Sequence, residues 1–203
     1  MKNYYIHLIR HAEAEGSDEG RYIGVTDCPL SEYGREDAAE KRRNYNYPQV
    51  ERVYTSPLAR CVETCDILYP ELEPIAVSEL AEYDFGDFEN KTVEELENDP
   101  GFVEWAEGGF ADAPRGGEDP GEFAARIRDG LRLVFEDMVK DKCYSAAVVT
   151  HGGIVSGLLA MFGFPRRRQS DWLCDYAAGY TVMLSAAMWM RDNAFEIAEE
   201  IPY

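Results

Sequence analysis

Two of the three histidines in this 203-residue chain directly follow short apolar runs. His11 ends the stretch "YYIHLIRH", where it stands beside Arg10, and His151 ends the stretch "SAAVVTH". A histidine with an ordinary pKa can act as a nucleophile, a base or a metal ligand. An arginine guanidinium matches the oxygens of phosphate with two parallel hydrogen bonds. The pairing of these residue types indicates chemistry on an anion.

Two further polar residues follow other apolar runs. Arg60 lies in the first turn of a helix after the run "VERVYTS", and Glu82 follows the run "PIAVS". Two histidines and a glutamate could bind zinc, but flanking arginines would repel a divalent cation. The set is better suited to phosphoryl transfer, since fixed cations stabilise the charge on the equatorial phosphate oxygens. His11 would attack phosphorus and become phosphohistidine, and Glu82 would protonate the departing alkoxide.

Strands that alternate with helices must bring these residues together. The sequence predicts strands in "YYIHLI", "VERVYTS", "PIAVS", "YSAAVVT", "GYTVMLSA" and "FEIAEEI". Helices are predicted after Ser31, after Ser56 as N-cap with Pro57 at the first helical position, and in "GGIVSGLLAMFG". The alternation predicts an α/β fold of three layers, α/β/α, around a mainly parallel sheet. Ligands bind at the carboxyl ends of the strands in such sheets, which is where the histidines and arginines fall.

One domain is predicted over residues 1–203, with a small helical cap inserted at about 84–118. The segment is rich in glycine and proline and contains a capping box from Thr92 to Glu95. A second capping box, from Asp119 to Glu122, with Pro120 at the first helical position, begins the longest predicted helix.

The composition excludes several classes of partner. The chain has 39 acidic and 20 basic residues, a net charge of −19, which argues against nucleic acid and against anionic membranes. Its five cysteines fit no zinc spacing and are expected to be reduced packing residues. No apolar stretch has the length of a signal peptide or a membrane span, so we expect a cytoplasmic protein.

Five ordered stretches between residues 4 and 155 carry a resemblance to a known family. They are "LIRHAEAEGSDEGRYIGVTDCPLSEYGREDA", "VYTSPLARCVET", "ELAEYDFGDFEN", "PRGGEDPGEFAARI" and "VVTHGGIV". The chain resembles the histidine phosphatase superfamily, also called the phosphoglycerate mutase-like family. The resemblance implies His11 as the phosphorylated nucleophile, Arg10 and Arg60 as the phosphate clamp, His151 as the second histidine of the phosphate pocket and Glu82 as the proton donor. It implies no metal and no cofactor.

Other positions are implied to contact the substrate. Ser17 stands where the family usually has asparagine, the loop from Arg21 to Gly24 lies near the substrate, and Gly152 directly follows the second histidine. The chain departs from the family at Ala12 and Ala14, where glycine and threonine are usual. The missing hydroxyl removes one hydrogen bond to the phosphate, but alanine fits the turn if φ is negative, so we expect activity to survive.

The resemblance implies metal-independent hydrolysis of a phosphomonoester, with a phosphorylated small molecule as substrate. The stretches "ELAEYDFGDFEN" and "GGEDPGEFAAR" look most like those of alpha-ribazole phosphatases and related small broad-specificity phosphatases. The alternatives are a phosphoglycerate mutase, a phosphohistidine-directed protein phosphatase and, from another class, an inactive module that binds a phosphorylated ligand. The oligomeric state is left open, a homo-oligomer included.

Several residues have plainer interpretations. His7 lies within the first strand and is expected to pack there with a hydrogen-bonded ring. The basic run Arg166–Arg168 is expected to form a solvated turn. Tyr83, Trp105 and Phe110 are equally suited to a substrate mouth and to packing within the cap.

Overall fold

A computed structural model describes residues 2–202. Within them, seven strands form one sheet in the order β3-β2-β4-β1-β6-β7-β5. The strands are β1 (Tyr4–Arg10), β2 (Arg52–Thr55), β3 (Ile75–Ala76), β4 (Ser145–Thr150), β5 (Gly163–Phe164), β6 (Gly179–Leu184) and β7 (Phe195–Ile201). The helices are α1 (Glu32–Asn44), α2 (Ala59–Leu68), α3 (Val93–Leu96), α4 (Pro100–Glu107), α5 (Pro120–Asp141), α6 (Gly152–Phe162) and α7 (Ala186–Asp192).

The pairing of the central strands brings the two polar strand ends together. Strands β1 and β4 run parallel, and Arg10 is paired with Thr150. Strand β2 is parallel to β4 on its other side, with Thr55 opposite Val149. His11, Ser56 and His151 therefore leave the sheet at the same edge, as expected for parallel neighbours.

The sheet is mixed. Strand β6 runs antiparallel to both β1 and β7, whereas β1–β4, β2–β4, β2–β3 and β5–β7 are parallel. Alternate side chains of the central strands point to opposite faces of the sheet, and both faces are buried. Leu8 and Val148 pack with α5 and α6, and Ile9 and Val149 pack with α2, so helices cover both sides.

Local capping explains where several helices begin. The Ser31 side chain accepts a hydrogen bond from the Gly34 amide at the start of α1. The capping box from Thr92 to Glu95 is present at α3. Asp119 caps α5, whose first residue is a proline, by accepting from two backbone amides. For the second predicted capping box, from Asp119 to Glu122, the structure shows this Asp119 side-chain cap.

The predicted start of α2 is wrong. The helix begins at Ala59, with Leu58 as a cap that makes no side-chain hydrogen bond. The Ala59 amide donates instead to the Asp27 carboxylate at 2.7 Å. Ser56 directly follows β2, and its hydroxyl lies 2.8 Å from Nε2 of His151. A good N-cap residue is thus used for the site and not for the helix.

Helices α3 and α4 lie in the segment where the cap is predicted. An aromatic and aliphatic cluster made of Phe88, Leu96, Phe102 and Trp105 packs between them. The indole of Trp105 is 8% exposed, and its N–H donates to the Asp112 carbonyl at 2.9 Å. The segment therefore has apolar packing of its own, and its role as a cap stays a prediction.

The plainer interpretations of two other features agree with the structure. The buried His7 ring lies 2.9 Å from the Thr181 hydroxyl and 3.1 Å from the Ser145 hydroxyl. The three arginines of the basic run are exposed, and Arg168 pairs with Asp171 at 3.6 Å. All five cysteines are free thiols. Between residues 2 and 202, no helix combines the length and the apolar character that crossing a bilayer requires.

Candidate active site

His11 directly follows β1 and is held in one tautomer. Its Nδ1 lies 2.6 Å from the carbonyl oxygen of Ala12, which can only accept, so Nδ1 carries the proton. Nε2 is left with its lone pair, the form that a nucleophilic imidazole needs. Burial of the ring lowers the pKa of His11 to about 3, and the positive charge of Arg60 adds to the effect. The imidazole is therefore neutral at any pH well above 3.

Arg60 is fully buried behind the site and held from one side. Its Nη1 donates to the Thr26 carbonyl at 2.8 Å, and its Nη2 donates to the Gly24 carbonyl at 2.6 Å. Its Nε is buried and has no hydrogen-bond partner among the described residues. A buried donor in this state is rare and needs an explanation, and an anion in the adjoining cavity is a suitable acceptor.

Arg10 has the same character. Its Nη1 donates to the Cys174 carbonyl at 2.9 Å, and its guanidinium carbon lies 3.9 Å from the centre of the Tyr176 ring. Stacking of this kind is favourable for a cation on an aromatic face and fixes the plane of the guanidinium. The Nε atom of Arg10 is again buried without a partner in residues 2–202.

His151 and the start of α6 form the rear of the site. The His151 ring is fully buried, and its centre lies 5.1 Å from that of His11. Burial lowers its pKa well below the usual value, and the charge of Arg60 acts in the same direction. The amino end of α6 adds partial positive charge where an anion would bind. A Cβ on Gly152 would lie 3.2 Å from Nε of Arg10, so glycine lets this arginine lie against the helix.

Glu82 reaches the same cavity from the segment after β3. One carboxylate oxygen accepts from the Tyr83 amide at 3.0 Å. A Cβ on Gly153 would come within 2.9 Å of the same oxygen, so glycine lets the carboxylate lie against the start of α6. Burial raises the pKa of Glu82, against smaller opposing effects of the Tyr83 amide and the charge of Arg60. The carboxyl group therefore keeps its proton to a higher pH than a solvated glutamate does.

A polar cavity of about 180 Å³ brings most of the predicted site together. Its lining includes Arg10, His11, Ser17, Arg21, Arg60, Glu82 and Gly152. His151 lies behind this lining, against His11. Gly24 is not among the lining residues, and its carbonyl serves to hold Arg60. In the described residues, no group of three or more histidines, cysteines or acidic residues is arranged to hold a metal ion.

The sequence interpretation did not name three of the lining residues, Ile23, Gly153 and Tyr176, as site residues. Ile23 lies inside the loop that was singled out. Tyr176 lies beyond the stretches that carry the resemblance, and a single tyrosine between strands gives no periodic pattern. An arginine at a strand end that needs a stacking partner is the only feature that could have prompted a search for it.

A second, larger cavity of about 650 Å³ adjoins the first and shares Arg21, Ile23, Glu82 and Gly153 with it. Its remaining lining is largely aromatic: Tyr22, Tyr83, Phe85, Trp105, Phe110 and Phe123. Trp105 packs in the cluster with Phe88, Leu96 and Phe102 and also lines this cavity. The charge of Arg21, the one arginine or lysine in this lining, is balanced by Glu19 at 2.7 Å and Glu95 at 3.1 Å.

Comparison with known proteins gives consistent matches. The family model described as "Histidine phosphatase superfamily (branch 1)" matches residues 6–189. An adenosylcobalamin/alpha-ribazole phosphatase of Salmonella typhimurium is 27% identical over 198 residues, 90% of this chain and 96% of that protein. A 2,3-bisphosphoglycerate-dependent phosphoglycerate mutase of Rhizobium etli is 30% identical over 162 residues, 74% of this chain and 76% of that protein. The crystal structure of the alpha-ribazole phosphatase from Shigella flexneri matches the fold with a TM-score of 0.77 at 20% identity, covering 96% of this chain and 94% of that one.

Proposed function

The chain belongs to the histidine phosphatase superfamily, and from this premise we propose that it hydrolyses phosphomonoesters through a phosphohistidine on His11. One observation carries the proposal. The neutral Nε2 of His11 shares a cavity with two arginines, whose buried Nε atoms have no partner within residues 2–202, and with a carboxyl group whose pKa is raised.

The proposed reaction has two steps. Nε2 of His11 attacks phosphorus, the N–P bond forms and the P–O bond to the leaving group breaks as Glu82 gives its proton to the departing oxygen. Water then attacks the phosphohistidine, Glu82 takes a proton from that water, and the N–P bond breaks to release phosphate. Arg10, Arg60 and the start of α6 stabilise the equatorial oxygens in both steps.

The larger cavity supports hydrolysis of an ester with an apolar, uncharged leaving group. Its aromatic walls suit flat or apolar groups, and its single cation is already paired with two carboxylates. Alpha-ribazole phosphate, whose leaving group contains an aromatic ring system, fits this class. A phosphoglycerate mutase is the second candidate, favoured by the Rhizobium etli relative. Its substrate carries a carboxylate, for which the described lining of the aromatic cavity offers no free cation.

A substrate panel tests the proposal. Phosphate release would be measured with p-nitrophenyl phosphate, alpha-ribazole phosphate, sugar phosphates and 3-phosphoglycerate, and the last would also be assayed for 2-phosphoglycerate. Release from the first two, with no conversion of 3-phosphoglycerate, is the expected result. Phosphate binding without turnover of any ester would instead indicate an inactive binding module.

Replacing Phe110 by alanine is expected to lower kcat/KM about tenfold for 3-phenylpropyl phosphate and to leave glycerol 1-phosphate unchanged. Phe110 lines the larger cavity but is 51% exposed, so its removal should not unfold the protein. Losing the apolar contact between one aromatic ring and the leaving group is expected to lower kcat/KM by about this factor. Steady-state kinetics on the two esters give the comparison, and equal losses on both would contradict the assignment of this cavity to the leaving group.

Chelation is expected to leave the rate unchanged. Arg10, Arg60 and the start of α6 supply the positive charge that a metal ion supplies in other phosphatases. The measurement compares initial rates before and after dialysis against EDTA. A rate that fell and then returned with added Mg²⁺ or Zn²⁺ would contradict this mechanism.

A further inference from the structure

The Glu89 carboxylate, in the segment predicted as the cap, is surrounded by backbone donors. It accepts from the amides of Gly24 at 3.2 Å, Val25 at 3.1 Å and Thr26 at 3.1 Å, and also from the Thr26 hydroxyl. Three successive amides thus converge on one side chain from a remote part of the sequence. A carboxylate accepts such bonds more strongly than a neutral group does.

The same three-residue loop holds Arg60 from its other side. The carbonyls of Gly24 and Thr26 accept the hydrogen bonds from Nη2 and Nη1 of Arg60, at 2.6 and 2.8 Å. The loop therefore turns its N–H groups to Glu89 and two of its carbonyls to the arginine. With both Nη atoms bonded to the loop, the orientation of the guanidinium depends on where the loop lies.

The position of this loop leaves little freedom. A Cβ on Gly24 would lie 1.9 Å from the Tyr83 carbonyl oxygen and 2.3 Å from a Glu89 carboxylate oxygen. Only a glycine allows the backbone to approach the carboxylate so closely. Without the carboxylate, the three amides would need other acceptors, and the loop would have to move to find them.

We propose that Glu89 is a positioning residue that aims Arg60 at the substrate phosphoryl group by fixing the loop Gly24–Thr26. This rests on the proposed function only for the task given to Arg60. The Phe85 amide donates to the same carboxylate at 2.9 Å, and the Phe85 ring lines the aromatic cavity. Glu89 thus joins the wall of the leaving-group cavity to the phosphate clamp through three hydrogen-bonded steps, from Phe85 to Glu89, from Glu89 to the loop and from the loop to Arg60.

The test measures the binding of inorganic phosphate by calorimetry, which needs no turnover. Glu89→Gln keeps the size of the side chain but replaces one acceptor oxygen by an NH₂ group that faces N–H donors. We expect phosphate binding to weaken about tenfold and kcat for p-nitrophenyl phosphate to fall ~10- to 100-fold, as for the loss of charge-assisted hydrogen bonds. Glu94→Gln, the same change at an exposed position on α3, is the matched control and should change neither value.

A double-mutant cycle with Arg60→Lys distinguishes positioning from general stability. If Glu89 acts through Arg60, Glu89→Gln changes phosphate affinity less than about threefold once the guanidinium is absent. The same tenfold loss in both backgrounds would overturn the proposal. So would an unchanged phosphate affinity in Glu89→Gln accompanied by a lower Tm, because that is the result expected of a purely structural side chain.

A milder variant covers the case in which Glu89→Gln does not fold. Thr26→Val removes only the hydroxyl donor to Glu89 and keeps the carbonyl that binds Arg60. We expect it to weaken phosphate binding about threefold. Unaltered binding in this variant would count against the proposal. If phosphate affinity depends on Glu89 and Arg60 in this way but no ester is hydrolysed, the role of Glu89 stands and the proposed function is wrong.

Discussion

Replacing His11 by alanine is expected to lower kcat for any phosphomonoester by at least about 10⁴-fold, since the nucleophile of a covalent mechanism cannot be replaced by its neighbours. Nδ1 is occupied by the Ala12 carbonyl, so the reactive atom is Nε2. The second histidine lies behind it, fully buried, with its Nε2 bonded to Ser56, and is not free to take over. Initial rates with p-nitrophenyl phosphate measure the effect.

The fold should survive this change, and the covalent adduct gives a second readout. The His11 ring is neutral and lines the cavity, so thermal unfolding of His11→Ala should resemble that of the wild type. After mixing with labelled substrate and quenching with alkali, wild-type protein should carry label on one histidine, and the variant none. Hydrolysis by His11→Ala at near the normal rate would refute the phosphohistidine mechanism.

Replacing Glu82 by glutamine is expected to slow hydrolysis of an alkyl phosphate by ~10²- to 10⁴-fold, the usual contribution of a general acid. An alkoxide needs the proton, whereas p-nitrophenolate departs without one. The loss on p-nitrophenyl phosphate should therefore be much smaller. Steady-state kinetics of both substrates measure the difference, with glutamine keeping the acceptor for the Tyr83 amide. Equal losses would mean that Glu82 positions the phosphate, with Asp84 or Glu118 as the next candidates for the acid.

The expected pH dependence of hydrolysis follows from the pKa shifts of His11 and Glu82. The pKa of His11 is lowered to about 3, so the nucleophile is already neutral above that pH and adds no further rise. The pKa of Glu82 is raised by burial, so its acid form persists above the usual range and is lost as the pH rises through the shifted value. We expect kcat for an alkyl phosphate to fall with rising pH in the wild type and to be flat over that interval in Glu82→Gln.

Most of this site could be predicted because its position depends on strand order. Residues that end parallel neighbours share an edge, so Arg10–His11 and His151 could be placed together from alternating strands and helices alone. The positions of the antiparallel β6 and the two-residue β5 in the sheet could not be predicted in this way. Nothing local in their sequences specifies the direction in which a strand joins a sheet. Helix α7 was not predicted either, because it is short and its Ser185 cap is its main local feature.

Other features depended on which of two uses a residue was given. Ser56 is a residue type typical of a helix N-cap, but its hydroxyl is hydrogen-bonded to His151. The Asp27 carboxylate, from a remote part of the sequence, accepts the hydrogen bond at the start of the helix. Gly24 is predicted to bind substrate, and the structure adds a second use, since its carbonyl accepts a hydrogen bond from Arg60. Choices of this kind are decided by side chains far away in the sequence, which no local pattern reports.

The pairing of β1 has a consequence for how the protein is made. This strand, near the start of the chain, is held between β4 and β6, whose residues 145–150 and 179–184 lie more than 130 positions away. Closing so large a loop costs entropy before any pairing offsets it. On the ribosome, the segment that carries the nucleophile must therefore wait until residues 145–184 have been synthesised before it can pair. A nascent chain that ends before residue 176 lacks the ring that stacks on Arg10, so the pocket is completed only after that residue has been made.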